Sequence, residues 1–175
     1  MAKGVVRTDK MFGTDNRTGL MSVKYMGSGS TATEIQNGMV AAIDGLLADS
    51  GTVVSREVYK AVTPAANTAR ANLVLIATPE LEYCPCKSIV DFTNEAGDLA
   101  RAYSLEAPNQ IFSVTKDVLD GASTPAVGDV VEAKAGTKLN VVAAGTGYTA
   151  GSTHVGKIIQ IETVGNLTLY VIQTV

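Results

Sequence analysis

A chain of 175 residues is long enough for one ordinary domain or two small ones, and with 46% hydrophobic residues it can build a core without metals or disulfides. Its two cysteines make no disulfide framework, and a net charge of −3 argues against bulk affinity for nucleic acid. Aromatics at 5%, no tryptophan and only 18% charged residues fit thin β-layers with small side chains better than a large enzyme core.

Residues 1–30 show no sustained hydrophobic period. Gly4, Gly13, Gly19, Gly27 and Gly29 interrupt them, so an extended N-terminal arm is expected, with a short strand over 20–26 and a flexible joint after it. Lys3, Arg7, Lys10, Arg17 and Lys24 face only Asp9 and Asp15, which makes the arm locally basic. Val5, Val6, Met11, Phe12, Leu20 and Met21 are apolar anchors that a partner can bury. The first seven residues have no apolar core of leader length, and no run approaches a membrane span. A soluble chain made in a cytoplasm is the expectation.

Asn37-Gly38 is a turn dipeptide, followed by a strand over 39–43. A helix over 38–48 is the alternative, but Gly45 in its middle would cost about 1 kcal/mol relative to Ala. Residues 56–62 alternate as a strand. Leu73-Val74-Leu75-Ile76-Ala77 is a continuous apolar run, as expected of a strand buried on both faces. Residues 80–100 are loop-rich. Strands are expected again over 99–105 and 110–114, then a short helical turn with Thr115 as N-cap and Gly121 at its end.

Beyond residue 127 come four short runs rich in β-branched residues, 127–134, 137–143, 157–163 and 167–174, divided by Gly, Asn and small polar residues. Val164-Gly165-Asn166 is short enough to close the last two into a hairpin. The fold class expected is mainly β: small antiparallel β-barrel or sandwich units with an extended N-terminal arm. The expected organisation is an arm over 1–30, a β-rich region over 31–106 and a small barrel-like unit over 107–175.

The chemistry-bearing residue types form no recognisable set. Cys84-Pro85-Cys86 has neither the ligand number of a zinc site nor the spacing of a redox pair, and reads as two structural thiols. His154 is the only histidine; Ser152 and Thr153 beside it do not by adjacency make a nucleophile and base, and a surface loop histidine is expected. Gly145-Thr146-Gly147-Tyr148-Thr149-Ala150-Gly151 lacks the lysine and helix of a phosphate-binding loop. Asp91, Asn94, Glu95 and Asp98 lack the spacing of a calcium loop and suit tight turns. The expectation is no enzyme, no cofactor and no metal site.

Several segments in order carry a resemblance: Ile35-Gln36-Asn37-Gly38-Met39-Val40, Glu57-Val58-Tyr59-Lys60-Ala61, Leu73-Val74-Leu75-Ile76-Ala77-Thr78-Pro79-Glu80, Asp91-Phe92-Thr93-Asn94-Glu95-Ala96-Gly97, Ala100-Arg101-Ala102-Tyr103, Gln110-Ile111-Phe112-Ser113-Val114 and Gly156-Lys157-Ile158-Ile159. From about residue 34 this pattern resembles the head decoration, or capsid cement, proteins of tailed bacteriophages. The resemblance implies a non-catalytic virion protein on the outer capsid surface. It would lie across joints between major capsid protein subunits and stabilise their lattice. Self-association as a trimer or about another symmetry axis is implied, with no nucleic-acid or membrane partner. Val5, Val6, Arg7, Met11, Phe12, Arg17, Leu20 and Met21 are then the expected capsid-interface residues of the arm. The alternative is another virion surface, fibre or tail β-module that binds host glycans; the absence of tryptophan for stacking on sugars weighs against it.

Overall fold

The computed structural model describes residues 4–7, 19–28, 31–47, 58–80 and 91–175. It is mainly β, as the alternating runs predict. The strands are β1 (Val6–Arg7), β2 (Leu20–Tyr25), β3 (Val40–Leu46), β4 (Val58–Val62), β5 (Leu73–Ile76), β6 (Leu99–Ser104), β7 (Ile111–Val114), β8 (Leu119–Gly121), β9 (Val130–Ala133), β10 (Leu139–Val142), β11 (Thr153–Val164) and β12 (Leu167–Thr174). They make two layers. β2, β4, β3, β5 and β6 close into a barrel-like ring, and the others form an open sheet in the order β1-β7-β12-β11-β9-β10-β8. The described pairings are antiparallel except β2 with β4 and β10 with β8.

Closure therefore occurs earlier in the chain than the C-terminal runs suggested. A five-stranded ring encloses little space, and small inward residues suit it: Ala41, Ala61, Ala100 and Ala102 pack with Val23, Tyr25, Val74 and Ile76. The C-terminal strands carry larger side chains on one face, including Phe112, Leu139, Ile158 and Ile172. They bury that face against the ring wall instead of curling on themselves. Val40, Leu73, Leu75, Tyr103 and Leu105 supply the ring's side of this second core.

β5 is common to both cores, which explains its unbroken apolar run. Val74 and Ile76 point into the ring while Leu73 and Leu75 meet the sheet, and all four are fully buried. Hydrogen bonds stitch the seam: Val40 N to Thr137 O at 2.7 Å, Gly136 N to Pro64 O at 3.0 Å, and Thr153 Oγ1 to Thr68 O at 2.7 Å. Arg70 Nε donates to Leu105 O at 2.8 Å, and its Nη1 donates to the Val175 carbonyl.

Residues 38–48 resolve as strand and not helix over the described part, with Gly45 at φ 80° beside a register irregularity between Ile43 and Leu46. The turn after Thr115 is a 3-10 turn, Lys116–Val118, and Thr115's side chain does not cap it. Its hydroxyl instead accepts from Val5 N at 3.1 Å.

Within 1–30 the expected short strand is present as Leu20–Tyr25, and both described segments are paired within the chain. Leu20–Tyr25 is a wall of the ring, paired to both β4 and β6. Val6–Arg7 adds an edge strand to the open sheet through Val6↔Val114 and Arg7↔Ser113. Each segment has a partner within its own chain because its apolar residues alternate in phase with a core: Val23 and Tyr25 with the ring, Val6 with the sheet.

Candidate interaction surface

The β11–β12 hairpin reaches farther than the strands beside it. β12 pairs with β7 only over Tyr170 to Gln173, and β11 pairs with β9 only over Thr153 to Lys157. The hairpin itself continues through Ile161↔Tyr170, Glu162↔Leu169 and Thr163↔Thr168 to Val164↔Leu167. Among the described residues, its outer part is thus a two-stranded ribbon with no third strand paired to it, although Leu169 within it is buried. Gly165 at φ 59° alone takes a positive φ in the two-residue turn, the pattern of a type II′ connection, whose twist matches the strands.

A bulge decides which side chains the ribbon shows. The register steps from Ile158↔Ile172 to Gln160↔Val171, so Ile159 is an extra residue and the alternation changes phase there. Ile161 then shares a face with Tyr170, and Val164 shares the opposite face with Leu167. Ile161 is 40% exposed and Val164 48%. Two β-branched apolar residues on a charge-poor ribbon lose water readily on contact with a partner.

The loop between β10 and β11 is a second feature. Its organising residue is Glu132, fully buried on β9 on the face opposite the shared core. Asn140 Nδ2 donates to Glu132 Oε1 at 2.6 Å. Thr149 N and Ser152 Oγ donate to Oε2 at 3.0 and 2.6 Å. Burial by itself pushes this carboxyl up, but the hydrogen bonds from Ser152, Thr149 and Asn140 together outweigh it and hold it below the usual range. The carboxylate therefore pins the glycine-rich loop. Outside it, Tyr148 packs its ring on His154 at a centroid distance of 4.5 Å, with its hydroxyl 3.0 Å from Nδ1. His154 sits on β11 opposite Glu132 and not in a loop, while Ser152's hydroxyl is committed to Glu132. Ser152 and His154 do not form a nucleophile and base.

The acidic turn at 91–98 is used structurally. Asn94 Nδ2 donates to Ile35 O at 3.0 Å and Asn37 Oδ1 at 3.2 Å, and Glu95 N donates to Asp98 Oδ2 at 3.0 Å. Asn37, fully buried, also donates to Thr78 O at 2.8 Å and reaches Glu80 Oε1 at 3.5 Å. Burial pushes the Glu80 carboxyl up, and the Asn37 contact offsets this only in part. Among the described residues no group of three or more His, Cys, Asp or Glu is placed to hold a metal. A shallow cleft lined by Asp44, Lys60, Val62 and Thr63 has its one cation tied to Asp44 at 2.8 Å.

The expected arm residues are dispersed. Val5 and Val6 are 6% and 9% exposed, buried within their own chain. Arg7 reaches Glu162 on the ribbon, Nη1 to Oε2 at 3.8 Å. Leu20 and Met21 are half-buried, packed against the shared core and the ring core respectively. Met11, Phe12 and Arg17, with Lys3, Lys10, Cys84 and Cys86, lie outside the described residues. Sequence reasoning did not find the ribbon. Run length gave no clue, because the four C-terminal runs are all seven or eight residues long, and no local rule says where a neighbouring strand stops. Compared with protein-family models, with curated proteins and with solved structures, this chain matches none.

Proposed function

We propose that the chain is a structural protein of a tailed-phage virion that binds the outer capsid surface and stabilises the major capsid protein lattice. The observation that supports this reading is the outer β11–β12 ribbon, which no third described strand pairs with and which shows Ile161 and Val164 partly exposed on its two faces. A two-stranded ribbon can enter a joint between subunits and bury apolar surface there, which suits a cement role better than a concave pocket would. The expected partner is the major capsid protein, with self-association about a lattice axis, no cofactor and no catalysis. Capsids lacking the protein should take up the purified chain on co-sedimentation and melt at a higher temperature. Replacing Ile161 and Val164 together by Ser should abolish uptake, while Leu99→Ser, on the ring, should not. Equal uptake of the ribbon variant overturns the role of the ribbon, and no uptake of the wild type overturns the reading.

The glycan-binding alternative has one observation in its favour. Tyr148 is 55% exposed and braced by His154, so its ring can stack on a sugar. Glycan-array binding that disappears in Tyr148→Ala, without capsid uptake, would favour that module.

A further inference from the structure

We propose that Gly4–Arg7 is an exchangeable arm, and that the socket holding it accepts the same four residues from a second copy of this chain. The socket is built by distant parts of the sequence. Gln36 Oε1 accepts from Gly4 N at 3.1 Å, Thr115 Oγ1 accepts from Val5 N at 3.1 Å, and Thr115 N donates to Val5 O at 3.0 Å. β7 then pairs with Val6 and Arg7. It is selective in shape as well as in hydrogen bonding. A Cβ on Gly4 would lie 2.1 Å from Val118 Cγ1 and 2.8 Å from the Asn37 carbonyl, so only glycine enters there. Val6 completes the sheet-side core beside Val114 and Val118.

Two features let this segment leave and be replaced. β1 is the end strand of the open sheet, so its departure breaks no pairing between the other described strands, though it gives up the Arg7–Glu162 ion pair. It also joins the ring only through residues 8–19, and twelve residues span up to about 40 Å at roughly 3.3–3.6 Å each. That length suffices for a molecule to place its arm on a neighbour while keeping its own β2 in its own ring. Contacts in the socket are identical within a chain and between chains, so exchange is governed by concentration rather than by new contacts.

The experiment uses full chains with Cys84→Ser and Cys86→Ser. One carries Arg7→Cys and the other Ser113→Cys, opposite residues whose antiparallel spacing of about 5.5 Å lies within the disulfide range. Oxidising a concentrated equal mixture should give a covalent heterodimer. A single chain carrying both cysteines, oxidised when dilute, should close on itself as a monomer. Adding Gly4→Val to the Arg7→Cys chain should remove the heterodimer, because the new side chain cannot pass Val118. The proposal falls if the mixture stays monomeric while the double-cysteine chain closes internally at every concentration. It also falls if the heterodimer survives Gly4→Val, or if the double-cysteine chain does not close at all.

Discussion

A fully buried carboxylate with three converging donors makes Glu132 the most consequential polar side chain among the described residues. Glu132→Ala removes the acceptor of Asn140 Nδ2 and Thr149 N, while Ser152 Oγ keeps the Thr149 carbonyl at 2.7 Å, and should destabilise the fold by about 2–3 kcal/mol, with the loop opening to rehydrate the orphaned donors. Because the folded carboxyl sits below its usual range, its contribution is complete above the unfolded value, about pH 4.3, and is lost as pH falls through the folded value. Urea unfolding at pH 7 and pH 3 should therefore show a smaller acid loss in Glu132→Gln than in the wild type. An equal loss would show that the carboxylate is not what pins the loop. Gly156 is the steric counterpart. A Cβ there would stand 2.1 Å from Gln173 O, a backbone atom of a central strand that cannot yield, so Gly156→Ala should cost about 2–3 kcal/mol or more. Thermal melting of that variant beside Gly147→Ala, whose new Cβ meets nothing within 4 Å, checks the claim.

The β11–β12 hairpin separates folding from contact. Its inner half carries Val155, Ile158 and Ile172 into the shared core, while its outer half pairs with no third described strand and meets β1 through the Arg7–Glu162 ion pair. Ile161→Ser and Val164→Ser remove side chains that are about half covered and should each cost about 1 kcal/mol, well below a core truncation, measured by urea unfolding. Gly165→Ala, forced to φ 59° in the turn, should cost about 1 kcal/mol and leave the rest of the sheet intact. A ribbon variant that unfolds the protein would mean that the outer half is part of the core. The same variants would then be useless as probes of binding.

Across the molecule, ring and sheet share one core, and β5 links it to the ring's own core. Residues 31–106 and 107–175 should accordingly unfold together. Leu75→Ala, at a fully buried site between the layers, should cost about 2–5 kcal/mol. It should also lower a single melting transition, seen at one temperature by far-UV circular dichroism and by tyrosine fluorescence. Two transitions, with one layer surviving the other, would show that the seam from Val40–Thr137 to Arg70–Val175 does not couple them.

Local pattern was sufficient for the kind of element and for several turns. Leu167 to Thr174 alternates, Leu73 to Ile76 is apolar throughout, Asn37-Gly38 and Gly165-Asn166 turn, and each of these follows from side-chain period and backbone freedom within a few residues. The candidate surface was far less legible. Val5 and Val6 look like free anchors in the sequence because nothing nearby in the chain covers them; Thr115, Val114 and Val118, more than a hundred residues on, do so. Ile161 and Val164 look like core residues of an alternating strand. They are exposed because a bulge at Ile159 changes the phase and the flanking strands end before them. β-branched alternation is a property of one strand, whereas burial depends on which strands lie beside it and how far they run. Long-range pairing sets that, and no window of a few residues contains it.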